Sequence, residues 1–166
     1  SRQKLLAEMT REMEGYNQSV RRAVQYAAQR RMAGVKGVLT QLISVPQKFE
    51  TAIDMALGAA QQNIVTDNEE TAKQLIDFLR QNRFGRATFL PMSAVRSKLL
   101  SDWERQALRL PGCLGVASEL VSCAPEYRGI VENLLGRTVI AEDLDKGIAI
   151  MRAGGHSFRL VTLVGD

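Results

Sequence analysis

Hydrophobic positions follow a pattern that occurs twice along the chain. Residues 37–58 read GVLTQLISVPQKFETAIDMALG, and residues 115–136 read GVASELVSCAPEYRGIVENLLG, 78 positions further on (115 − 37 = 78). In each copy a short apolar run precedes a proline, after which apolar residues recur along one helical face. The run is typical of a buried strand, and the spacing that follows is typical of an amphipathic helix. Self-similarity at a fixed offset indicates a duplicated structural unit.

The periodicity around these copies extends each of them into a β-α-β-α-β unit. We predict strands at residues 38–43, 63–66, 86–90, 116–121, 138–141 and 159–163. Asp67 and Glu70 have the spacing of a helix capping box, and Ser101 begins another in the connector between the copies. Alternating strands and helices predict an α/β fold with at least partly parallel pairing, built from two pseudo-repeated subdomains.

Residues 1 to about 31 have the pattern of one helix with a narrow apolar seam. The seam residues alternate in steps of three and four: Leu6, Met9, Met13, Tyr16, Val20, Ala23 and Ala27. A seam this narrow on a polar helix favours a coiled coil with a partner helix. The alternative is an ordinary amphipathic helix docked on its own domain. We therefore predict a coiled-coil arm helix at 1–33, a first subdomain with its connector at 34–110, and a second subdomain at 111–166.

The composition is that of a soluble protein without a membrane span or a signal peptide. Of the 166 residues, 45% are apolar and 24% are charged, and no apolar run reaches the length of about 18 residues that a span needs. Cys113 and Cys123 are predicted to be free thiols in a reducing cytoplasm. The chain stops directly after a predicted strand, so we expect a C-terminally truncated piece of a longer protein.

Positive charge is concentrated near the N-terminus. Residues 1–36 contain eight Lys/Arg and three Glu, a net charge of +5, whereas the other residues contain fourteen Lys/Arg and fifteen Asp/Glu, a net charge of −1. The candidate DNA-binding residues are the basic residues where the helix adjoins the body: Arg21, Arg22, Arg30, Arg31 and Lys36. Such a cluster would bind phosphates in a salt-dependent way. The alternative is the solvated flank of a coiled coil.

The sequence contains no motif of an enzyme or of a cofactor site. It has neither a GxxxxGK[ST] phosphate-binding loop nor a GxGxxG turn after a strand. His156 is the one histidine, and the two cysteines lack the CxxC spacing of a zinc site. We therefore predict no catalytic residue, no metal and no cofactor, and we interpret His156 as a residue of a surface turn.

Several stretches resemble the hinge of bacterial SMC (structural maintenance of chromosomes) proteins. They are EGYNQSVRRAV at 14–24, GRATFLP at 85–91, LGVASELV at 114–121, NLLGRTVIAEDL at 133–144 and RLVTLVGD at 159–166. The resemblance covers nearly the whole chain, from residue 14 onward. The residues by themselves already indicate a duplicated α/β body preceded by a coiled-coil helix, and the resemblance names a family with this organisation.

The resemblance implies a dimerisation module. In this family two hinges pair head to tail and join two long coiled-coil arms, which serve chromosome condensation and segregation. Basic residues at the junction of hinge and arm contact DNA, and ATP binds to distant head domains. The expected partners are therefore a second hinge, an antiparallel coiled-coil helix from a later part of the chain, and DNA. The expected localisation is cytoplasmic and nucleoid-associated.

The last predicted strand is the candidate dimer interface, because an edge strand without a neighbour is a template for pairing. The candidate residues are Arg159, Leu160, Val161, Thr162, Leu163 and Val164. The family usually continues beyond this strand into a glycine-rich segment that adds to the interface.

Two other functions stay open: a nucleic-acid-binding α/β domain in which dimerisation is incidental, and an α/β enzyme with an unrecognised site.

Overall fold

The computed structural model describes residues 16–165, in which helices and strands alternate. The helices are α1 (Gln18–Gln29), α2 (Leu39–Leu42), α3 (Glu50–Leu57), α4 (Glu69–Gln81), α5 (Asp102–Arg105), α6 (Arg128–Leu135) and α7 (Leu144–Ala153). The strands are β1 (Val35–Val38), β2 (Ile43–Ser44), β3 (Ile64–Thr66), β4 (Phe89–Pro91), β5 (Cys113–Val116), β6 (Ser122–Cys123), β7 (Thr138–Ala141) and β8 (Arg159–Thr162). Short 3₁₀ turns connect several of them. No helix in the described part of the chain has the length and apolar character of a membrane span.

Two three-stranded sheets have the same plan, which confirms the predicted duplication. Their strand orders are β1-β3-β4 and β5-β7-β8, and in each sheet the first pair is antiparallel and the second is parallel. Each first strand carries an irregularity at a glycine, Gly37 with φ 138° and Gly115 with φ 137°. A side chain is disfavoured at such a positive φ, so both copies need glycine at the bulge. The α/β fold of two pseudo-repeats is as predicted.

The strands predicted at 38–43 and 116–121 are wrong. In the first copy β1 ends at Val38, a helical turn follows at Leu39–Leu42, and only Ile43 and Ser44 return to a strand. The second copy repeats this order, with a 3₁₀ turn at Ala117–Leu120 before β6. A short apolar run does not distinguish a strand from a buried turn, because both bury continuous apolar surface. The strands predicted at 63–66, 138–141 and 159–163 are found within one residue of each end, and the strand predicted at 86–90 is shorter and lies at 89–91.

Helix caps agree with the prediction at one of the two capping boxes. Ser101 Oγ accepts a hydrogen bond from the Glu104 N–H at 3.2 Å, and the Glu104 carboxylate accepts one from the Ser101 N–H at 2.9 Å. The cap of α4 is Asn68, whose Oδ1 accepts the Thr71 N–H at 2.9 Å, and not Asp67. The prediction failed there because the helix begins one residue later than the charge pattern indicated.

The described chain forms two compact units that are interleaved in sequence. The first unit contains the described residues up to Leu39 together with Gln62–Ser93. The second contains Thr40–Gln61 together with the residues from Ala94 onward. The predicted domains at 1–33, 34–110 and 111–166 are continuous in sequence and describe the repeats, and they stay a prediction. The compact units are not continuous, because Thr40–Gln61 of the first repeat belongs to the second unit.

In the first unit, α1 packs on the core of its own sheet and on α4. Val20, Ala23 and Ala27 are buried in one cluster together with residues of β1, β3 and α4, and Tyr16 packs partly against it. This corrects the prediction that these seam residues face a partner helix, and it favours the docked amphipathic helix for this part of α1. The physical reason is that small alanine side chains allow α1 to approach α4 closely. The other seam residues, Leu6, Met9 and Met13, lie outside the described residues, where the coiled coil stays a prediction.

The second unit combines helices from both copies of the repeat. Helix α3, from the first copy, packs against α6 and β8 from the second. The short strands β2 and β6 pair antiparallel, with Ile43 opposite Cys123 and Ser44 opposite Ser122. The duplicated segments are therefore joined by equivalent strands, one from each copy.

Candidate nucleic-acid interface

The first unit carries the positive charge of the described chain. Its described residues include nine Lys/Arg and four Asp/Glu, a net charge of +5, whereas the second unit has ten of each and a net charge of zero. A polyanion would therefore be attracted to the first unit more strongly than to the second. The positions of its basic side chains follow from the packing of α1 on α4.

Helices α1 and α4 run antiparallel. The ring of Tyr26 stacks on Phe78 with centroids 3.9 Å apart, and the guanidinium of Arg22 lies 4.7 Å from the centroid of Phe84. Arg22 precedes Tyr26 in α1, whereas Phe84 follows Phe78 and lies beyond the end of α4. The N-terminal half of α1 therefore lies beside the C-terminal end of α4.

This arrangement divides the predicted DNA-binding residues into two groups. Arg21 and Arg22 lie at the end of α1 that contacts the residues after α4, and with Gln18 and Gln25 they line a shallow hollow of about 340 Å³. Arg30, Arg31 and Lys36 lie at or beyond the other end of α1, about 12 Å away along the helix axis. The structure thus separates the five predicted residues into a pair at one end of α1 and a group of three at the other.

The second group faces a different environment. The guanidinium of Arg30 lies 5.0 Å from the centroid of the Tyr26 ring. Asp67 lies near Lys36, and the hydrogen bond from the Thr71 hydroxyl, helped by the Asn68 N–H and the Lys36 charge, holds the pKa of Asp67 below its ordinary value. An ionised carboxylate close to Lys36 weakens the attraction of that lysine for phosphate.

Three further arginines join Arg21 and Arg22. They belong to the stretch RQNRFGR and are Arg80, in the last turn of α4, Arg83 and Arg86. The Ser19 hydroxyl donates a hydrogen bond of 2.6 Å to the Arg86 carbonyl, which holds this loop against α1. We call these five arginines the basic face. Sequence reasoning missed the last three because it compared charge along the chain, although three arginines within seven residues were a visible signal.

The side chains of the basic face are available to a ligand. Arg22, Arg80, Arg83 and Arg86 are exposed and Arg21 is half-buried. Among the described residues no carboxylate lies within 4.0 Å of any of the five guanidinium groups, since the ion pairs found there involve other side chains. The basic residues after the last turn of α4 also complement its dipole, which is a structural reason for part of this charge.

The candidate dimer strand lies at the margin of its sheet. β8 pairs in parallel with β7 and is the last strand in the order β5-β7-β8. Val161 and Thr162 bury their side chains in the second unit, Leu160 and Leu163 are half-buried, and Arg159 and Val164 are exposed. Beside this strand, α7 exposes two apolar side chains, Leu144 at 52% and Ile148 at 43%. Exposed apolar groups next to an outer strand are typical of an interaction surface.

The remaining polar candidates have structural roles or form no site. His156 is exposed in the turn after α7, with φ 56°. Burial raises the pKa of the Cys113 thiol, which disfavours the reactive thiolate. No group of three or more His, Cys, Asp or Glu side chains within residues 16–165 is arranged to hold a metal ion.

Comparison with known proteins gives one consistent family. The family model described as "SMC proteins Flexible Hinge Domain" matches residues 32–151. A chromosome partition protein Smc of Bacillus subtilis (strain 168) is 44% identical over 167 residues, which cover 100% of this chain and 14% of that protein. The chain therefore spans only a small part of the curated relatives that it matches.

Solved structures agree with the sequence matches. The chain is similar to an asymmetric dimer of the Geobacillus stearothermophilus SMC hinge domain, with a TM-score of 0.90 and 40% identity, over 99% of this chain and 65% of that chain. It is also similar to a Pyrococcus furiosus Smc hinge domain with an extended coiled coil, with a TM-score of 0.71 and 26% identity, over 99% of this chain and 56% of that chain.

Proposed function

The chain belongs to the SMC hinge family, and on that premise we propose that it is a homodimerisation hinge that joins two SMC arms and contacts DNA through its first unit. The whole protein would serve chromosome segregation, as the name of the B. subtilis chromosome partition protein suggests, together with the condensation that the family resemblance implies. In this proposal the hinge is not an enzyme, ATP binding belongs to head domains elsewhere in the protein, and the protein is associated with the nucleoid.

The dimer part of the proposal is supported by the margin of the second sheet. In a head-to-tail dimer, β8 of one copy would lie against the first unit of the other, where β4 is the equivalent outer strand. The edge of β8 would supply backbone groups, and Leu144 and Ile148 would supply apolar contacts beside it. Edge pairing with apolar flanks is a common mode of protein association.

Amide hydrogen exchange at several protein concentrations tests this interface. We expect exchange of the amides on the outer edge of β8 to slow as the concentration rises, because dimerisation removes that edge from solvent. The N–H groups of Arg159 and Leu163 already donate to the carbonyls of Arg137 and Ala141 at 2.9 Å and should not respond. The central strand β3 is the internal control, since it is paired on both sides within the monomer. Exchange of the outer-edge amides that is independent of concentration would contradict the interface.

The DNA part of the proposal is supported by the basic face. Five arginines without a carboxylate partner in the described chain lie on two contacting segments, and the described residues of the second unit carry no net charge. Neutralised phosphates release counterions, so affinity should fall steeply with salt and depend little on base sequence. The second group, Arg30, Arg31 and Lys36, would extend the contact along α1.

Fluorescence anisotropy with a labelled DNA duplex tests this contact and compares the two groups. Arg21→Gln with Arg22→Gln should weaken binding more than Arg30→Gln with Arg31→Gln, because the first pair belongs to the larger cluster. Equal effects would contradict the division into two groups. Strong duplex binding by a protein that stays monomeric would instead favour the nucleic-acid-binding domain in which dimerisation is incidental.

A further inference from the structure

A cavity of about 460 Å³ opens beside the C-terminal end of α4. Three exposed arginines line it, Arg80, Arg83 and Arg86, and we call them its rim. Its apolar wall is formed by Ile76, Leu79 and Ala87. The volume lies in the range of about 300–1,000 Å³ that is usual for small-molecule sites.

The rim has the chemistry of an anion site. A planar guanidinium binds phosphate oxygens through two parallel N–H groups, and the three arginines that line this cavity are all exposed. The described residues provide no carboxylate within ion-pair distance of these three arginines. A ligand that brings negative charge would therefore meet little competition from the protein.

The wall distinguishes this cavity from a simple contact with a DNA backbone. Leu79 is 2% exposed and anchors the wall in the core, whereas Ile76 is 38% exposed and presents apolar surface to the opening. A duplex backbone is convex and polar and would not cover this surface. A ligand that also carries a flat, weakly polar body would bury it and gain from both parts of the site.

We propose that this cavity binds a nucleotide, with its phosphate on the three arginines and its base against Ile76 and Ala87. The inference goes beyond the proposed function, because a free mononucleotide would need only the cavity and neither a dimer nor a DNA duplex. The same chemistry is available from an unpaired nucleotide in a strand.

Isothermal titration of the chain with adenosine 5′-monophosphate tests the proposal, with adenosine and inorganic phosphate as the two half-ligands. We expect saturable binding of the mononucleotide. Each half-ligand should bind at least about tenfold more weakly, since it lacks one of the two sets of contacts. Binding of the mononucleotide that is no tighter than that of inorganic phosphate would overturn the role of the apolar wall.

Arg83→Gly is the sharpest variant, because it removes a rim charge without straining the fold. Arg83 has φ 55°, a conformation that favours glycine, so the variant should melt at an unchanged or higher temperature. It should weaken mononucleotide binding about tenfold. His156→Gly is the matched control: it has φ 56° after α7 in the second unit and should leave binding unchanged.

Ala87→Leu gives an independent test, because the larger side chain would fill part of the cavity beside the apolar wall. It should weaken mononucleotide binding while it leaves the rim charge and duplex binding intact. Mononucleotide binding that is unchanged by both Arg83→Gly and Ala87→Leu would overturn the proposal, even if duplex DNA still binds to the basic face. Competition by a single-stranded oligonucleotide would assign the cavity to nucleotides of a strand, and its absence would assign it to free nucleotides.

Discussion

Replacing Glu104 by glutamine should destabilise the second unit. The Glu104 carboxylate is buried and accepts hydrogen bonds from Arg137 Nη1 at 2.9 Å, Arg137 Nη2 at 2.7 Å, Ser157 Oγ at 2.6 Å and Ser101 N at 2.9 Å. It thereby ties α5, in the connector, to the turns that precede β7 and β8. Glutamine keeps one acceptor oxygen, loses the charge, and turns an N–H₂ group toward a donor.

The magnitude follows from these contacts. Removing one partner of a buried ion pair costs about 3–5 kcal/mol, and a hydrogen bond to a charged group contributes about 1.5–3 kcal/mol. The Arg137 side chain is 37% exposed, so water replaces part of the hydrogen bonding that its guanidinium loses. We therefore expect the free energy of unfolding to fall by an amount near the lower limit, about 3 kcal/mol. For a chain of this size that corresponds to a fall of about 6–12 °C in melting temperature.

Thermal and denaturant unfolding measure this loss, with Glu119→Gln as the matched control. Glu119 pairs with Arg105 at 3.0 Å, but the two side chains are 56% and 45% exposed. An exposed pair contributes at most about 1 kcal/mol, so the control should melt within about 4 °C of the parent chain. Equal destabilisation by the two substitutions would refute the argument from burial.

The pH dependence gives a second check. The hydrogen bonds to the carboxylate, those from Arg137 foremost, hold the pKa of Glu104 far below its ordinary value. A carboxylate with a lowered pKa stabilises the fold above its unfolded pKa of about 4.3, and that stabilisation is lost as the pH falls toward the folded pKa. The difference in unfolding free energy between the parent chain and Glu104→Gln should therefore be constant above about pH 5 and shrink below about pH 4. A difference that grows on acidification would contradict this sign.

Three further predictions concern the basic face, the dimer and the duplicated bulge. Arg21→Gln with Arg22→Gln should lower the slope of log affinity for duplex DNA against log salt by about 2, measured by anisotropy at several salt concentrations. Leu144→Glu with Ile148→Glu should raise the dimer dissociation constant at least about tenfold in sedimentation experiments, because charge would enter an apolar contact. Gly115→Ala should lower the unfolding free energy by about 1–2 kcal/mol in urea, since a Cβ there meets Leu120 only at 3.5 Å and the cost arises from the backbone, with φ 137°.

Each of these predictions has a control elsewhere in the chain. Arg152→Gln, at the end of α7, should leave the salt slope unchanged, and an equal change in slope would contradict the basic face. Leu99→Glu removes an apolar side chain that is 54% exposed and should not affect the dimer. Gly129→Ala, inside α6, should stabilise the chain, because alanine favours a helix and its Cβ meets Ser97 only at 3.8 Å. If Gly115→Ala is equally harmless, the bulge does not require glycine.

The duplication was predictable from the sequence, and the details inside each copy were not. The offset of 78 positions relates strands with the same pairing, and the glycines of that offset, Gly37 and Gly115, have the same φ. The helical turn at Leu39–Leu42 was missed because its apolar run is also compatible with a strand. The sequence could not predict that Thr40–Gln61 belongs to the second unit. Hydrophobic periodicity indicates which face of an element is buried, and it does not indicate which neighbouring element buries that face.

The candidate site was predicted in part. Arg21 and Arg22 were found because charge clusters there along the chain, whereas Arg80, Arg83 and Arg86 join them only through the packing of α1 on α4. The heptad spacing was correct as a pattern. Its interpretation as a coiled coil was wrong for the described part of α1, where the chain's own core buries the seam. The sequence could not distinguish the two cases, because a partner helix would bury the same positions.

Sedimentation equilibrium of the chain over a wide range of concentrations tests the central claim, that this domain joins two copies. The account predicts a mass that rises from 18.4 kDa toward twice that value as the concentration increases. A mass that stays at 18.4 kDa at every concentration would contradict it.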